Sequence, residues 1–194
     1  MSSSNKIIFI VGMAGSGKSI VSDELVKKGF SFLRFGQITL DKIKEDGLEL
    51  NEASEKKIRE GFRKEYGMGA FATLNIPKFD SLLKEGNVVG DGLYSWSEYK
   101  ILKEKYGSSM YVIAVYAPPK LRYERLENRK VGNDSRQRFR SFTKEEAKAR
   151  DYAEIENIEK GGPIAMADFT IINIKTTDDL KKDINEILSQ IINS

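Results

Sequence analysis

The residues with the clearest chemical potential lie at positions 12–19, where GMAGSGKS matches the pattern G-x-x-x-x-G-K-[ST]. The motif directly follows an apolar stretch, IIFIV, at residues 7–11. After a strand, such glycines let successive backbone N–H groups point at phosphate oxygens, and the complete motif in this position disfavours an ordinary turn. The side chain of Lys18 would reach the β- and γ-phosphates of ATP, and the hydroxyl of Ser19 would ligate Mg²⁺. The predicted ATP-binding residues here are Gly12, Ala14, Gly15, Ser16, Gly17, Lys18 and Ser19.

Asp91 is the second candidate, an acid at the end of the short apolar run at residues 88–89. An acid at the end of a strand near a phosphate loop can organise Mg²⁺ or the attacking group, so Asp91 is predicted as a catalytic and metal residue. The sequence leaves the roles of base and Mg²⁺ organiser open. Asp91-Gly92 is also typical of a hairpin turn. A capping box at residues 95–98 favours a helix after the strand, as a parallel sheet requires.

Basic residues concentrate at positions 120–150, with eleven Lys and Arg against five Asp and Glu. Arg122, Arg125 and Arg129 are spaced by three and four residues, which predicts that they share one helix face. Guanidinium groups stabilise the charge of a transferring phosphoryl group, so we expect Arg125 and Arg129 to be catalytic and to lie on a movable lid. The alternative is a solvated basic face. Three more arginines alternate beyond this helix: Arg136, Arg138 and Arg140.

A long segment at residues 36–86 separates the second and third apolar runs, and long inserts in compact domains are often functional. Arg59 and Arg63 lie one helical turn apart and would bind an anionic acceptor. Ordinary surface pairing with Glu55 and Glu60 is the alternative. The predicted acceptor-binding residues are Gln37, Arg59, Arg63 and Tyr94.

The chain of 194 residues contains neither Cys nor His. This excludes disulfides, cysteine–zinc sites and every hydrolase arrangement that needs His or a thiol. The formal net charge of +3 is too small to indicate nucleic acid by itself, and we do not expect nucleic acid as a partner. No apolar run is long enough to span a membrane and no leader pattern begins the chain, so we expect a cytoplasmic protein. The sequence does not specify the oligomeric state.

Five short apolar runs alternate with segments of helical period. This pattern predicts a single α/β domain over residues 1–194, a three-layer sandwich with a five-stranded parallel sheet. A helical acceptor-binding insert at residues 36–86 and a lid-containing insert at residues 118–160 interrupt it. The apolar positions of the tail fall on one helix face that should pack on the sheet: Leu180, Ile184, Ile187, Leu188 and Ile191.

These residues resemble those of the phosphate-loop nucleoside and nucleotide kinases, especially the dephospho-coenzyme A kinase and adenylate-kinase-related group. The similarity covers nearly the whole chain, including the loop, Asp91-Gly92, Arg122–Leu126, Arg150-Asp151 with Glu154-Ile155, and the stretch ADFTIIN at residues 167–173. The resemblance implies that Asn173 and Lys175 lie near the nucleotide base. It also implies that Arg125 or Arg129 lies near the ATP phosphates or adenine.

The chain departs from adenylate-type kinases at two places. Those kinases carry Asp-Gly-x-Pro-Arg after the third strand, where this chain has DGLYS at residues 91–95. They also carry Thr-Gly-Asp after the second strand, where this chain has FGQ at residues 35–37. The usual monophosphate clamp is therefore incomplete.

Together these features favour an ATP-dependent, Mg²⁺-requiring kinase. Its acceptor would be a small nucleotide-like or hydroxyl compound, with dephospho-coenzyme A and a (deoxy)nucleoside monophosphate as leading candidates. The alternative function is a nucleotide-controlled binding protein or an RNA-associated NTPase that uses the basic segment at residues 120–150. An Asn-Lys-x-Asp sequence for reading guanine is absent at residues 173–175, which argues against a GTPase.

Overall fold

The structure is a computed structural model that describes residues 5–129 and 142–193. The strands in these stretches are β1 (Ile7–Val11), β2 (Ser31–Arg34), β3 (Val88–Asp91), β4 (Met110–Tyr116) and β5 (Phe169–Ile172). The helices are α1 (Lys18–Lys27), α2 (Gln37–Glu45), α3 (Glu52–Tyr66), α4 (Ala70–Glu85), α5 (Trp96–Tyr106), α6 (Pro119–Glu127), α7 (Lys144–Ile158), α8 (Gly161–Ala165) and α9 (Thr177–Ile192). A 3-10 turn (Gly107–Ser109) precedes β4.

The five strands form one all-parallel sheet in the order β2-β3-β1-β4-β5. The predicted three-layer fold is therefore confirmed. Strand β1 lies in the centre, between β3 and β4, so the loop that follows it opens at the middle of the carboxyl edge. In the register, Asp91 at the end of β3 is opposite Ile10 of β1 and Arg34 of β2. This edge is where ligands bind in open parallel sheets.

Helices cover both faces of the sheet because the strand residues alternate between two cores. On one face, Phe9 of β1 packs with Phe35 and Phe79, its ring centroid 5.8 and 5.4 Å from theirs. On the other face, Ile8 and Ile10 pack against α1 and α9. All the apolar positions predicted for the face of α9 are buried there: Leu180, Ile184, Ile187, Leu188 and Ile191.

The capping box predicted at residues 95–98 forms at the start of α5. Ser95 caps α5 and Thr143 caps α7, each in a complete capping box. Because β3 is parallel to both neighbours and α5 follows it, Asp91-Gly92 is not a hairpin turn. No helix in the two described stretches is long and apolar enough to cross a membrane.

Candidate functional site

The loop between β1 and α1 carries the backbone geometry that its glycines predict. Gly15 has a φ of 78° and Gly17 a φ of 106°, both in the left-handed region that favours glycine. Space is also restricted, because a Cβ on Gly15 would lie 2.7 Å from the carbonyl oxygen of Arg122. A Cβ on Gly17 would overlap the amide of Asn173. Helix α1 begins at Lys18, so its N-terminal amides and dipole face the space above the loop.

Side chains from distant parts of the chain hold the carbonyl groups of this loop. Asn173 Nδ2 donates a hydrogen bond to the carbonyl of Ser16 at 2.8 Å. Arg122 Nη1 donates to the carbonyl of Ala14 at 3.0 Å. The first N–H groups of a helix have no acceptor within the helix, so those at the start of α1 can bind an anion. The arrangement is a preformed anion nest.

Arg122 is itself fixed by a buried ion pair between α6 and α7. Its guanidinium donates to both carboxylate oxygens of Asp151, at 2.6 and 3.1 Å, and its Nε donates to the carbonyl of Ala117 at 3.0 Å. Tyr123 donates its hydroxyl to Asp151 at 3.0 Å. A buried charge is stable only when it is paired in this way. Arg122 is therefore a structural brace of the loop.

Lys18, at the start of α1, and Asp91, at the end of β3, both line the space in front of the nest. Lys18 Nζ donates to the carbonyl of Met13 at 3.1 Å. Burial, and then the positive charge of Lys160, lower the pKa of Lys18 from its ordinary value of 10.5 to about 7, although Asp91 opposes this shift. A phosphate group bound beside this buried ammonium would favour its charged form.

A cleft of about 920 Å³ opens in front of the nest. Its wall carries seven basic and five acidic side chains, so it favours anionic ligands. The charged residues of the wall are Lys18, Arg34, Arg59, Arg63, Arg129, Arg150, Lys160, Glu52, Glu55, Asp91, Glu98 and Glu154.

One side of the cleft holds a buried ionic cluster from the end of α7 and the start of α8. Glu154 accepts hydrogen bonds from Arg150 Nε, at 2.8 Å, and from the ammonium of Lys160. The two cations hold the pKa of Glu154 below its ordinary value, although burial acts the other way. The Lys160 ammonium lies 4.2 Å from the ring centroid of Tyr94. Burial raises the pKa of Tyr94, so its hydroxyl stays protonated.

Helix α3 and the start of α4, within the segment at residues 36–86, also line the cleft. Arg59 is paired with Glu52 at 2.6 Å and with Glu55 at 3.0 Å, which satisfies its charge within the helix. Arg63 instead lies over the ring of Phe71, 5.6 Å from its centroid. Arg63 is therefore the better placed of the two predicted arginines to meet an anion in the cleft.

Six predicted residues do not line the cleft: Gly12, Ser16, Gln37, Arg125, Asn173 and Lys175. Gln37 is exposed at the start of α2 and donates to Asp41 at 2.9 Å. Lys175 is exposed in the turn after β5. Asn173 is buried and supports the loop through its bond to Ser16. Gln37 and Lys175 therefore lie outside the cleft, and Asn173 contacts the loop backbone instead of the cleft.

The three arginines predicted on one helix face take three different places. Arg122 pairs with Asp151 and binds the carbonyl of Ala14 in the loop. Arg125 Nη2 donates to the carbonyl of Asn173 at 3.1 Å, and its Nη1 is buried with no hydrogen-bond partner in the described part of the chain. Arg129 follows the end of α6 and lines the cleft, where burial and nearby Arg150 lower its pKa. Arg136, Arg138 and Arg140 lie outside the described residues.

The residues near the nest fit Mg²⁺ that is held jointly with phosphate groups. Ser19 offers a hydroxyl and Asp91 a carboxylate, both oxygen donors of the kind that Mg²⁺ prefers. Residues 5–129 and 142–193 contain no cluster of three or more acidic or other metal-ligating side chains. Mg²⁺ in phosphoryl-transfer sites typically has one or two protein ligands, with phosphate and water completing its shell. The donor set matches that case.

Sequence reasoning did not select Arg34, Arg150, Glu154 and Lys160 as site residues, although all four line the cleft. The position of Arg34 at the cleft is a consequence of the strand order, because β2 lies beside β3 and ends at the same edge of the sheet. Lys160 has no local signal, since Glu159 and Gly161 beside it are typical of a surface turn.

The sheet order and the anion nest define a P-loop protein with the fold of nucleotide and small-molecule kinases. Shikimate kinase from Acinetobacter baumannii has a similar structure, with a TM-score of 0.58 and 20% identity over 96% of this chain and 94% of that one. Dephospho-CoA kinase from Campylobacter jejuni gives a TM-score of 0.57 and 18% identity over 99% of this chain and the whole of that one. At these identities the similarity establishes the fold alone.

The chain belongs to the UPF0200 family, and residues 8–160 match the family model described as AAA domain (AAA_18). A UPF0200 protein of Sulfurisphaera tokodaii is 36% identical over 189 residues, which cover 96% of this chain and 98% of that protein.

Proposed function

We propose that the protein is an ATP-dependent kinase that transfers the γ-phosphoryl group to a small nucleotide-like or hydroxyl acceptor. The observation that carries the proposal is the braced anion nest, which opens into a cleft with excess positive charge. A structural turn would not need three carbonyl groups bound by Lys18, Arg122 and Asn173. These bonds present the N–H groups to a polyphosphate.

In this proposal the donor lies over the loop. The amides of residues 12–19 hold the phosphates, and Lys18 supplies a positive charge to the β- and γ-phosphates. Ser19 and Asp91 would hold Mg²⁺, which neutralises the phosphate charge when bound. Arg125, which donates a hydrogen bond to the carbonyl of Asn173, would mark the position of the base together with Asn173 and Lys175. The buried unpaired Nη1 of Arg125 supports this placement, because an unpartnered buried donor needs an acceptor.

The acceptor lies across the cleft from the loop, between β3 and the insert at residues 36–86. Arg63 faces the cleft over Phe71, and Tyr94 provides a protonated hydroxyl close to Asp91. Arg59 forms part of the cleft wall and is paired with Glu52 and Glu55 of the same helix. Asp91 is placed to orient or deprotonate an acceptor hydroxyl, or to organise Mg²⁺. Arg129, which follows α6 within the lid-containing insert, would neutralise the transferring group.

An ATP-coupled assay over an acceptor panel tests this function. The panel contains dephospho-coenzyme A, deoxynucleoside monophosphates, free nucleosides and small hydroxy acids. The expected result is turnover that requires Mg²⁺, depends on one acceptor class and is lost in Lys18→Ala. Slow ATP hydrolysis that no acceptor accelerates would contradict the proposal.

The variant Asp91→Asn separates the two roles of Asp91. Replacement by Asn keeps the shape and an oxygen ligand but removes the base. If Asp91 is the base, Asp91→Asn loses phosphoryl transfer and keeps its affinity for Mg-ATP. If Asp91 organises the metal, the variant needs much more Mg²⁺ to reach half-maximal activity.

A further inference from the structure

A buried lysine on the cleft wall has no role in the site as predicted from the sequence. Lys160 directly precedes α8 and is only 2% exposed, yet it lines the cleft. The residue before it, Glu159, has a φ of 54°, so the chain turns sharply at this point. Burying an ammonium is costly, and its retention needs a compensating interaction.

The partners of Lys160 compensate its charge only in part. Among the described residues, Glu154 is its one hydrogen-bond acceptor, and Glu154 also accepts a bond from Arg150. One carboxylate therefore serves two cations. The ring of Tyr94, 4.2 Å away, adds a weaker cation–π attraction. An ammonium has three N–H donors, so Lys160 retains the capacity to bind another acceptor.

Lys160 is also close to another cation. Lys18 and Lys160 line the same cleft, and the positive charge of Lys160 lowers the pKa of Lys18. Two like charges that only stabilised the fold would be better placed apart. A multiply charged anion between them would reverse the sign of this interaction, and terminal phosphates carry such charge.

We infer that Lys160 is a second phosphate-binding lysine, which contacts the γ-phosphate of a bound nucleoside triphosphate. The inference rests on the proposed function. The terminal phosphate is the favoured contact because Lys160 stands against Tyr94, three residues after Asp91, where donor and acceptor must meet. The nest holds the phosphates nearer the base. Glu154 positions the ammonium before the nucleotide arrives.

Comparison of ATP and ADP affinities tests the contact without knowledge of the acceptor. Calorimetry with Mg-ATP and Mg-ADP is carried out on the wild type, Lys160→Met and Lys160→Arg. The expected result is an affinity for Mg-ATP lowered about tenfold in Lys160→Met, about 1.4 kcal/mol, with little change for Mg-ADP. Lys160→Arg keeps the charge and should restore most of the preference for ATP.

The matched control is Lys100→Met. Lys100 also lies over an aromatic ring, 5.9 Å from the centroid of Trp96, but it is exposed and does not line the cleft. The variant Lys100→Met should leave the affinities for Mg-ATP and Mg-ADP unchanged. If Lys160→Met does not fold, the double variant Lys160→Met/Glu154→Gln removes the paired charges together and serves for the same comparison.

Two results would overturn the inference: equal losses for ATP and ADP, which indicate a structural role, or no loss for either nucleotide. Failure of the proposed function gives a different result, since the wild type itself would then bind no ATP. All of these outcomes are measured by nucleotide binding alone, without an assay of turnover.

Discussion

The ion pair between Arg122 and Asp151 should be the most sensitive polar contact near the loop. Both side chains are 5% exposed, and the pair joins α6, α7 and the carbonyl of Ala14. Asp151→Asn removes the negative charge and leaves the guanidinium buried without its counter-ion. Breaking a buried pair from one side costs about 3–5 kcal/mol. For a domain of this size, that corresponds to a fall in Tm of roughly 6–20 °C.

Asp80→Asn is a matched control for this perturbation. Asp80 accepts a bond from the Tyr106 hydroxyl at 3.0 Å and pairs with Lys105 at 3.1 Å, so it has the same types of partner as Asp151. Its side chain is 39% exposed, however, and loss of the pair should cost less than about 1 kcal/mol.

Urea unfolding and thermal melts measure the two variants side by side. Calorimetry with Mg-ATP should in addition show weaker binding for Asp151→Asn than for Asp80→Asn, because only Arg122 contacts the loop. Equal destabilisation by the two variants would refute the argument that burial makes the Arg122–Asp151 pair a structural brace.

Three further predictions concern the loop and the core. Asn173→Ala leaves the Ser16 carbonyl without its bond, so the free energy of unfolding should fall by about 1–3 kcal/mol in urea titrations; no change would contradict this role. Because phosphate binds the protonated form of Lys18, whose pKa is about 7, Mg-ATP affinity should fall as pH rises above 7. Calorimetry at pH 8 in buffers of different ionisation enthalpy should detect proton uptake on binding, and its absence would count against that pKa. Ile184→Ala in α9 should cost about 2–5 kcal/mol, against less than about 1 kcal/mol for the half-exposed Ile192→Ala; equal costs in urea unfolding would contradict the assigned packing of α9.

The parts of the fold that local sequence controls were predicted well. The apolar run at residues 7–11 forms β1 and the run at residues 88–89 lies in β3, and Ser95 begins a helix as its capping box indicates. The glycines of the loop adopt the conformations that their type allows. These features depend on neighbours in the chain, so a single sequence contains the information.

The site was predicted less completely because its charges are paired across long separations. Arg122 and Asp151 are 29 residues apart, and Asn173 reaches Ser16 over 157 residues. Helical spacing grouped Arg122 with Arg125 and Arg129, but spacing does not report which member finds a buried carboxylate. Lys160 was missed for the same reason, since its partners Glu154 and Tyr94 come together only through the tertiary fold.

The central claim is that backbone amides and the ammonium of Lys18 bind the phosphates of ATP. Calorimetric titration of Mg-ATP into the purified wild type and Lys18→Ala tests it directly. The account predicts saturable, stoichiometric binding to the wild type at pH 7 and a loss of about tenfold or more in the variant. Absence of binding to the wild type, or equal affinity in the two proteins, would contradict it.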